Sequence, residues 1–257
     1  MGQWVTIYKK EMLQTWRSKQ LIWVPLVMIL IGIIDLISYY YLPEVIKLSG
    51  GLPEGAVFEV PSLLPREAII IGLEQLSFLG SLVIIAISMG TIAGERKSGQ
   101  AEIMLTKPIN HVNYVTAKWF ALVTVTLLSL FLALFLNWYY TNVLFDPISF
   151  IIILKVFLFY SLWFLFIISI VMFFNSFLNK PGLVFAFSAI VLFCMSIINT
   201  ALGHKLTYFP NQLTNKISMM ITFDEVTQEL WITSGIIIGI IIILLITSVT
   251  IFKHKKL

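Results

Sequence analysis

Six stretches of this chain are apolar over twenty residues or more: 21–41, 69–93, 119–140, 150–174, 183–202 and 232–252. A hydrocarbon core of about 30 Å is crossed by roughly 20 helical residues, so each stretch is long enough to span a bilayer. Lipid offers no partner for a peptide N–H or C=O, so each must satisfy its backbone internally, as a helix does. Composition points the same way. The chain is 59% hydrophobic and 12% charged, about half the charged share of a soluble domain. No polar segment between the stretches is long enough for a soluble domain. The sequence therefore reads as one all-α transmembrane domain, 1–257. The first stretch follows basic residues as a signal peptide would. It is too long for one and lacks an A-x-A-like site after it, so it is expected to stay as span one.

The positive residues fall unevenly between the loops. Lys9, Lys10, Arg17, Lys19, Arg96, Lys97, Lys107, Lys118, Lys180, Lys253, Lys255 and Lys256 flank one side, against Lys47, Arg66, Lys155, Lys205 and Lys216 on the other. The positive-inside rule then places both termini in the cytoplasm of a cell-membrane protein. The net charge of +4 is a topology signal rather than a nucleic-acid footprint. Two external loops are substantial. The first, 42–68, is rich in Pro and Gly; the second, 203–231, is apolar enough to dip back into the membrane. The aromatic residues at span ends, Tyr39 to Tyr41 and Trp138 to Tyr140 among them, suit an interfacial belt. Cys194 reads as a small buried apolar residue, and Lys155 as a snorkelling side chain. The Gly90/Gly94 and Gly235/Gly239 spacings allow close helix contact.

Residues 1–20 read as a helix lying in the interface, with Trp4, Tyr8, Met12 and Trp16 on one face and Lys10 and Arg17 roughly opposite. Enzyme constellations are missing from the sequence. There is no H-E-x-x-H, no G-x-S-x-G and no Cys/His spacing for a metal. GERKSGQ, residues 94–100, carries the two glycines of a G-x-x-x-x-G-K-[ST] phosphate loop, but Gln100 and Ala101 replace its Lys and hydroxyl. Without them the stretch cannot hold the phosphates or magnesium. Asp35 and Glu74 are the acids within the spans, about 8–9 Å from the external end at 1.5 Å per residue. At equal depth they could line one external vestibule, as a polar substrate path or proton-sensitive gate, or lie at the wet interface.

The segment GTIAGERKSGQAEIMLTKPINHVNYVTAKWF after the second stretch resembles the permease subunits of type-two ATP-binding-cassette exporters. In that family a Glu follows span two, then come a small-residue turn, a short apolar helix, a Pro-apolar step and a Lys opening span three. Here those are Glu95, Gly99, Ile103 to Leu105, Pro108-Ile109 and Lys118. The start, YKKEMLQTWRSKQLIWVPLVM, is similar to the family's interfacial helix running into span one, and the resemblance covers essentially the whole chain. It implies a dimeric six-span permease with a separate ATPase, two copies of each per complex. It also implies that 94–118 is a cytoplasmic coupling loop whose helix docks on the ATPase. Glu95, Arg96, Lys97 and Glu102 would offer charge pairs there, and Ile103, Met104 and Leu105 an apolar plug. ATP and Mg would be bound by the partner, with no cofactor on this chain. Span five and the loop after it would line the path, here Phe185, Phe187, Phe193, Met195 and Asn199. Such a lining suits an apolar or amphipathic cargo, a peptide or a lipid-like molecule. Two other readings stay open on the residues alone: an ion-coupled porter using Asp35 and Glu74, and a membrane scaffold or immunity protein that transports nothing.

Overall fold

A computed structural model describes residues 2–48, 63–99 and 110–254. Every regular element among them is helical. Six helical segments are long and apolar enough to cross a membrane. The N-terminal helix, Gln3–Arg17, is separate from them. It ends where Lys19 takes a left-handed φ of 58°, a conformation unfavourable for a residue with a Cβ, so the helix breaks there. Span one, Gln20–Leu48, carries Pro25 and Pro43 inside it.

Span two is built in pieces. Pro65–Gln75 is α-helical, Leu76–Gly80 forms a π turn, Ser81–Ser88 is α-helical again, and Ala93–Lys97 follows a turn. Both interruptions are fastened to span four, Phe150–Phe177. At the π turn, Tyr160 donates to the Leu73 carbonyl at 2.8 Å and pairs with Ser77 Oγ at 2.6 Å. Trp163 Nε1 donates to Ser81 Oγ at 3.2 Å. At the second break, Asn175 Oδ1 accepts from the N–H groups of Ile92 and Ala93 at 3.2 and 3.0 Å. Those N–H groups would otherwise have continued the helix.

Span three, His111–Leu144, starts with the Asn110 side chain accepting from Val112 N. Its 34 residues reach about 51 Å, well beyond a bilayer core, so its first turns project past the 119–140 stretch. Spans three and four are lined with buried residues and form the centre of the bundle. Span five, Pro181–Leu202, buries only Val184 and Ser188 and lies at the edge against spans two and four. Cys194, on this span, is exposed rather than buried. A short helix, Gln212–Phe223, buries Leu213, Ile217, Met220 and Ile221, packing on spans two, four and six. Span six is Gln228–His254.

The end of span six meets the start of span three. Tyr114 stacks on Phe252 with ring centroids 5.1 Å apart. This side is called the terminal end below, and the opposite one the far end. Close approach occurs at Gly32 and Gly72 rather than at the two G-x-x-x-G spacings. A Cβ at Gly72 would lie 2.1 Å from Asn137 Nδ2 and 2.6 Å from the Gly32 carbonyl. At Gly90, Gly94, Gly235 and Gly239 it would meet nothing within 4 Å.

Candidate functional site

Four ionisable side chains converge at the terminal end, from three separated pieces of sequence. Glu11 lies on the buried stripe of the N-terminal helix, between Ile7 and Thr15. Lys118 Nζ, fully buried, sits 2.8 Å from Glu11 Oε1 and 2.9 Å from Glu95 Oε1, and also donates to the Thr91 carbonyl at 3.0 Å. Lys10 reaches the same Glu95 oxygen at 2.5 Å and Glu11 at 3.2 Å. Tyr114 donates its hydroxyl to Glu95 Oε2 at 2.5 Å. Two lysines face two glutamates, so the group is neutral as a whole. Isolated charges would be expelled from such a site, but paired and hydrogen-bonded ones are retained. Burial works against the charge on Lys10, yet the hydrogen bonds and charges of Glu95 and Glu11 outweigh it, so Lys10 is held above its ordinary value.

Arg96 binds the end of span four. Its guanidinium donates to the Ser176 carbonyl at 2.8 Å and to the Asn175 carbonyl at 3.3 Å, where a helix leaves carbonyls unpaired and negative. It also lies over the Phe252 ring, 5.0 Å from the centroid. Residues Ala93–Lys97 are thereby tied to the N-terminal helix, to span three, to span four and to span six.

A cleft of about 510 Å³ opens on the other half of the bundle. Its walls are the π turn and next turn of span two, Trp163 of span four, one face of span five, and Asn211 and Thr214 at the start of the far-end helix. Charged pairs hold that helix in place. Arg66 donates to the Ile221 and Thr222 carbonyls at 3.0 and 2.7 Å. Lys216 pairs with Glu229 at 2.7 Å. Lys155 pairs with exposed Asp224 at 2.9 Å, so Lys155 does more than snorkel. The hydrogen bond from Lys155, followed by its charge, lowers the Asp224 carboxyl below its ordinary value.

Residues 5–257 match the family described as ABC-2 family transporter protein. The chain belongs to that family. It is a multi-pass membrane protein. The chain is also similar to a protein named "Uncharacterized transmembrane protein YxlG" from Bacillus subtilis (strain 168), 31% identical over 167 residues. That match covers 64% of each chain, so it spans just under two thirds of the relative's length.

Within this ABC-2 family member the residues expected from sequence scatter over both halves. Glu95 and Arg96 are engaged inside the chain rather than offered as charge pairs, while Lys97 is exposed. Gly99 has φ of 74°, which only glycine adopts without strain; Gly94 is an ordinary helical residue. Glu102, Ile103, Met104, Leu105 and Pro108 lie outside the described residues. Of the expected path residues, Phe193 and Asn199 line the cleft. Phe185 and Met195 pack against the core, and exposed Phe187 stacks on Phe174. Asp35 and Glu74 line two different clefts, the first with Ser38 and Tyr39, the second with Tyr160 and Thr214. The structure does not join them in one vestibule.

The aromatic face of the N-terminal helix divides. Trp4 donates to Thr116 Oγ1 at 3.1 Å, and Tyr8 pairs with Thr124 Oγ1 at 2.9 Å, both on span three. Met12 is half-buried and Trp16 is exposed. Lys10, expected opposite the aromatics, turns inward to Glu95. Sequence reading missed Glu11, Tyr114 and Asn175 as parts of the site. A carboxylate every fourth residue from Ile7 and Thr15 was the available signal for Glu11. Asn175, in an otherwise apolar stretch, was the signal for a polar tie.

Proposed function

We propose that this chain is the membrane-spanning subunit of an ATP-driven exporter that moves an apolar or amphipathic cargo. A separate ATPase, bearing the ATP and Mg sites, docks on the terminal end, and a second permease completes the complex. The terminal end is the cytoplasmic face of the cell membrane, as the distribution of Lys and Arg favours.

The observation that carries this reading is the neutral four-charge cluster. Glu95 stands at the entrance of loop 94–118, and Tyr114 and Lys118 stand at its exit. Both stems are thus fastened to each other and to the N-terminal helix. A push on the loop then moves spans two and three and the N-terminal helix together instead of deforming the loop. Such a coupled displacement is what switching between inward- and outward-facing states requires. The exposed part of the loop would present Lys97, with Ile103 to Leu105 as the apolar plug.

Purification of the tagged protein in mild detergent tests it. A chain bearing G-x-x-x-x-G-K-[ST] is expected in equal amount, and Ile103→Asp is expected to lose it. Lys10→Ala should keep the ATPase bound but lower cargo-stimulated hydrolysis severalfold, because the N-terminal helix then follows Glu95 only through Glu11 and Lys118. Recovery of the protein alone, with no response to ATP, would overturn the exporter.

A further inference from the structure

The far-half cleft has a chemistry that selects among ligands. Among the described residues, no Asp, Glu, Lys, Arg or His lines it. Span five supplies Ala189, Leu192 and Phe193 first and Ser196 and Asn199 last. Ten residues of helix separate Ala189 from Asn199, about 15 Å, so the wall runs from apolar inside the bundle to polar at the far end. Asn211 begins the far-end helix, but its side chain does not cap it. Its Oδ1 is buried without a hydrogen-bond partner among the described residues. A buried amide oxygen without a donor is an unmet demand. Asn199 Oδ1 already accepts from Gln212 Nε2 at 2.9 Å, so what its amide still offers is the Nδ2 donor.

From these residues we propose that the cleft binds an uncharged, single-tailed amphiphile whose head carries both a hydrogen-bond donor and an acceptor, an amide or a polyol. The head's donor meets Asn211 Oδ1 and its acceptor meets Asn199 Nδ2. The tail lies along Ala189, Leu192 and Phe193 against Leu82 of span two and Trp163 of span four. A carboxylate or quaternary ammonium head would leave water for a site that holds no counter-charge, and is rejected for that reason. The π turn shapes the site by placing Ser77, Phe78, Ser81 and Leu82 on its wall. All walls come from one chain, so binding needs neither the second permease nor the ATPase. Naming this amphiphile as the cargo rests on the exporter reading; the binding itself does not.

The test uses the full chain in nanodiscs without any ATPase. Three photo-crosslinking probes share one diazirine-bearing tail and differ in head: an N-(2-hydroxyethyl)amide, a carboxylate and a trimethylammonium. The amide probe is expected to label the peptides around 76–82 and 189–199 at least roughly tenfold more than either charged probe. Asn211→Leu should reduce that labelling about five- to tenfold, the loss of one buried hydrogen bond. Asn211→Asp should shift preference to the cationic probe, and Ala189→Trp should block all three by filling the tail channel. Equal labelling by the three heads, or labelling untouched by Ala189→Trp, would overturn the site. Failure of an ATPase to co-purify would instead remove the exporter reading and leave the binding result standing.

Discussion

The two ends of the bundle solve the same problem in opposite ways. At the terminal end, charge is taken inside: Glu11, Glu95 and Lys118 are buried and Lys10 closes the group. At the far end, one pair is exposed, Lys155–Asp224, and the other joins buried Lys216 to exposed Glu229, while the cleft lining is neutral among the described residues. A buried charge group fixes geometry because every member depends on the others, and removing one leaves the rest uncompensated. The Lys155–Asp224 pair is solvated whether or not it forms, so it can open at little cost, whereas buried Lys216 depends on Glu229. The terminal end is thus built to transmit displacement as a unit. The far end anchors one short helix through Arg66 and buried Lys216, and keeps only the Lys155–Asp224 tie in water.

The comparison breaks first at Lys118. Lys118→Met leaves Glu11 and Glu95 buried without their main partner, and about 3–5 kcal/mol of stability should be lost. Thermal melting followed by size-exclusion in detergent would show it as a large fall in Tm; an unchanged Tm would mean the cluster is not buried in the folded protein. Asn175→Leu comes next. It strips the partner from the Ile92 and Ala93 N–H groups, costing about 1–3 kcal/mol. Amide exchange at residues 89–97 should speed up while that of the π turn, held by Tyr160, should not. The smallest effect is expected at the rim. Asp224→Asn should leave Tm within the scatter of the assay. The depressed Asp224 carboxyl contributes only above the usual carboxylate range, and loses that contribution as pH falls through its lowered value. Lys10 runs the other way. Held above its ordinary value, it contributes below that value and loses the contribution as pH rises through the raised one. The terminal cluster should therefore survive a scan from neutral to mildly alkaline pH, with cargo-stimulated ATPase activity as the readout.

How much was legible differs from residue to residue. The spans were, because the length and polarity of a lipid-crossing helix leave few alternatives; their cores fall where expected, and span three merely starts earlier. Lys118 was visible as a span-opening lysine, and Glu95 as the acid after span two. That they pair directly inside the protein was not visible, because the buried group is completed by Glu11 and Lys10, which lie about a hundred positions from Lys118 in the chain. Asp35 and Glu74 were expected at one depth along their helices, yet depth fixes only one coordinate. The rotation of each helix decides which cleft an acid faces, and the two rotations send these apart. The glycine spacings misled for a related reason. G-x-x-x-G permits close contact but does not bring a partner, and the close approach between spans proved to be at Gly72, against Asn137 and the Gly32 carbonyl.

By itself the sequence determined that this is an all-helical membrane protein of six spans with a family-like loop after the second. Hydrophobic length and the need to satisfy the backbone in lipid act locally, and each span meets them alone. Only the tertiary structure decided that span two is segmented, that span four fastens both of its breaks, that Glu95 faces inward, and that an orphaned Asn211 oxygen borders a neutral cleft. Those outcomes depend on which polar groups meet across helices, and in a bundle that is set by packing rather than by any one segment.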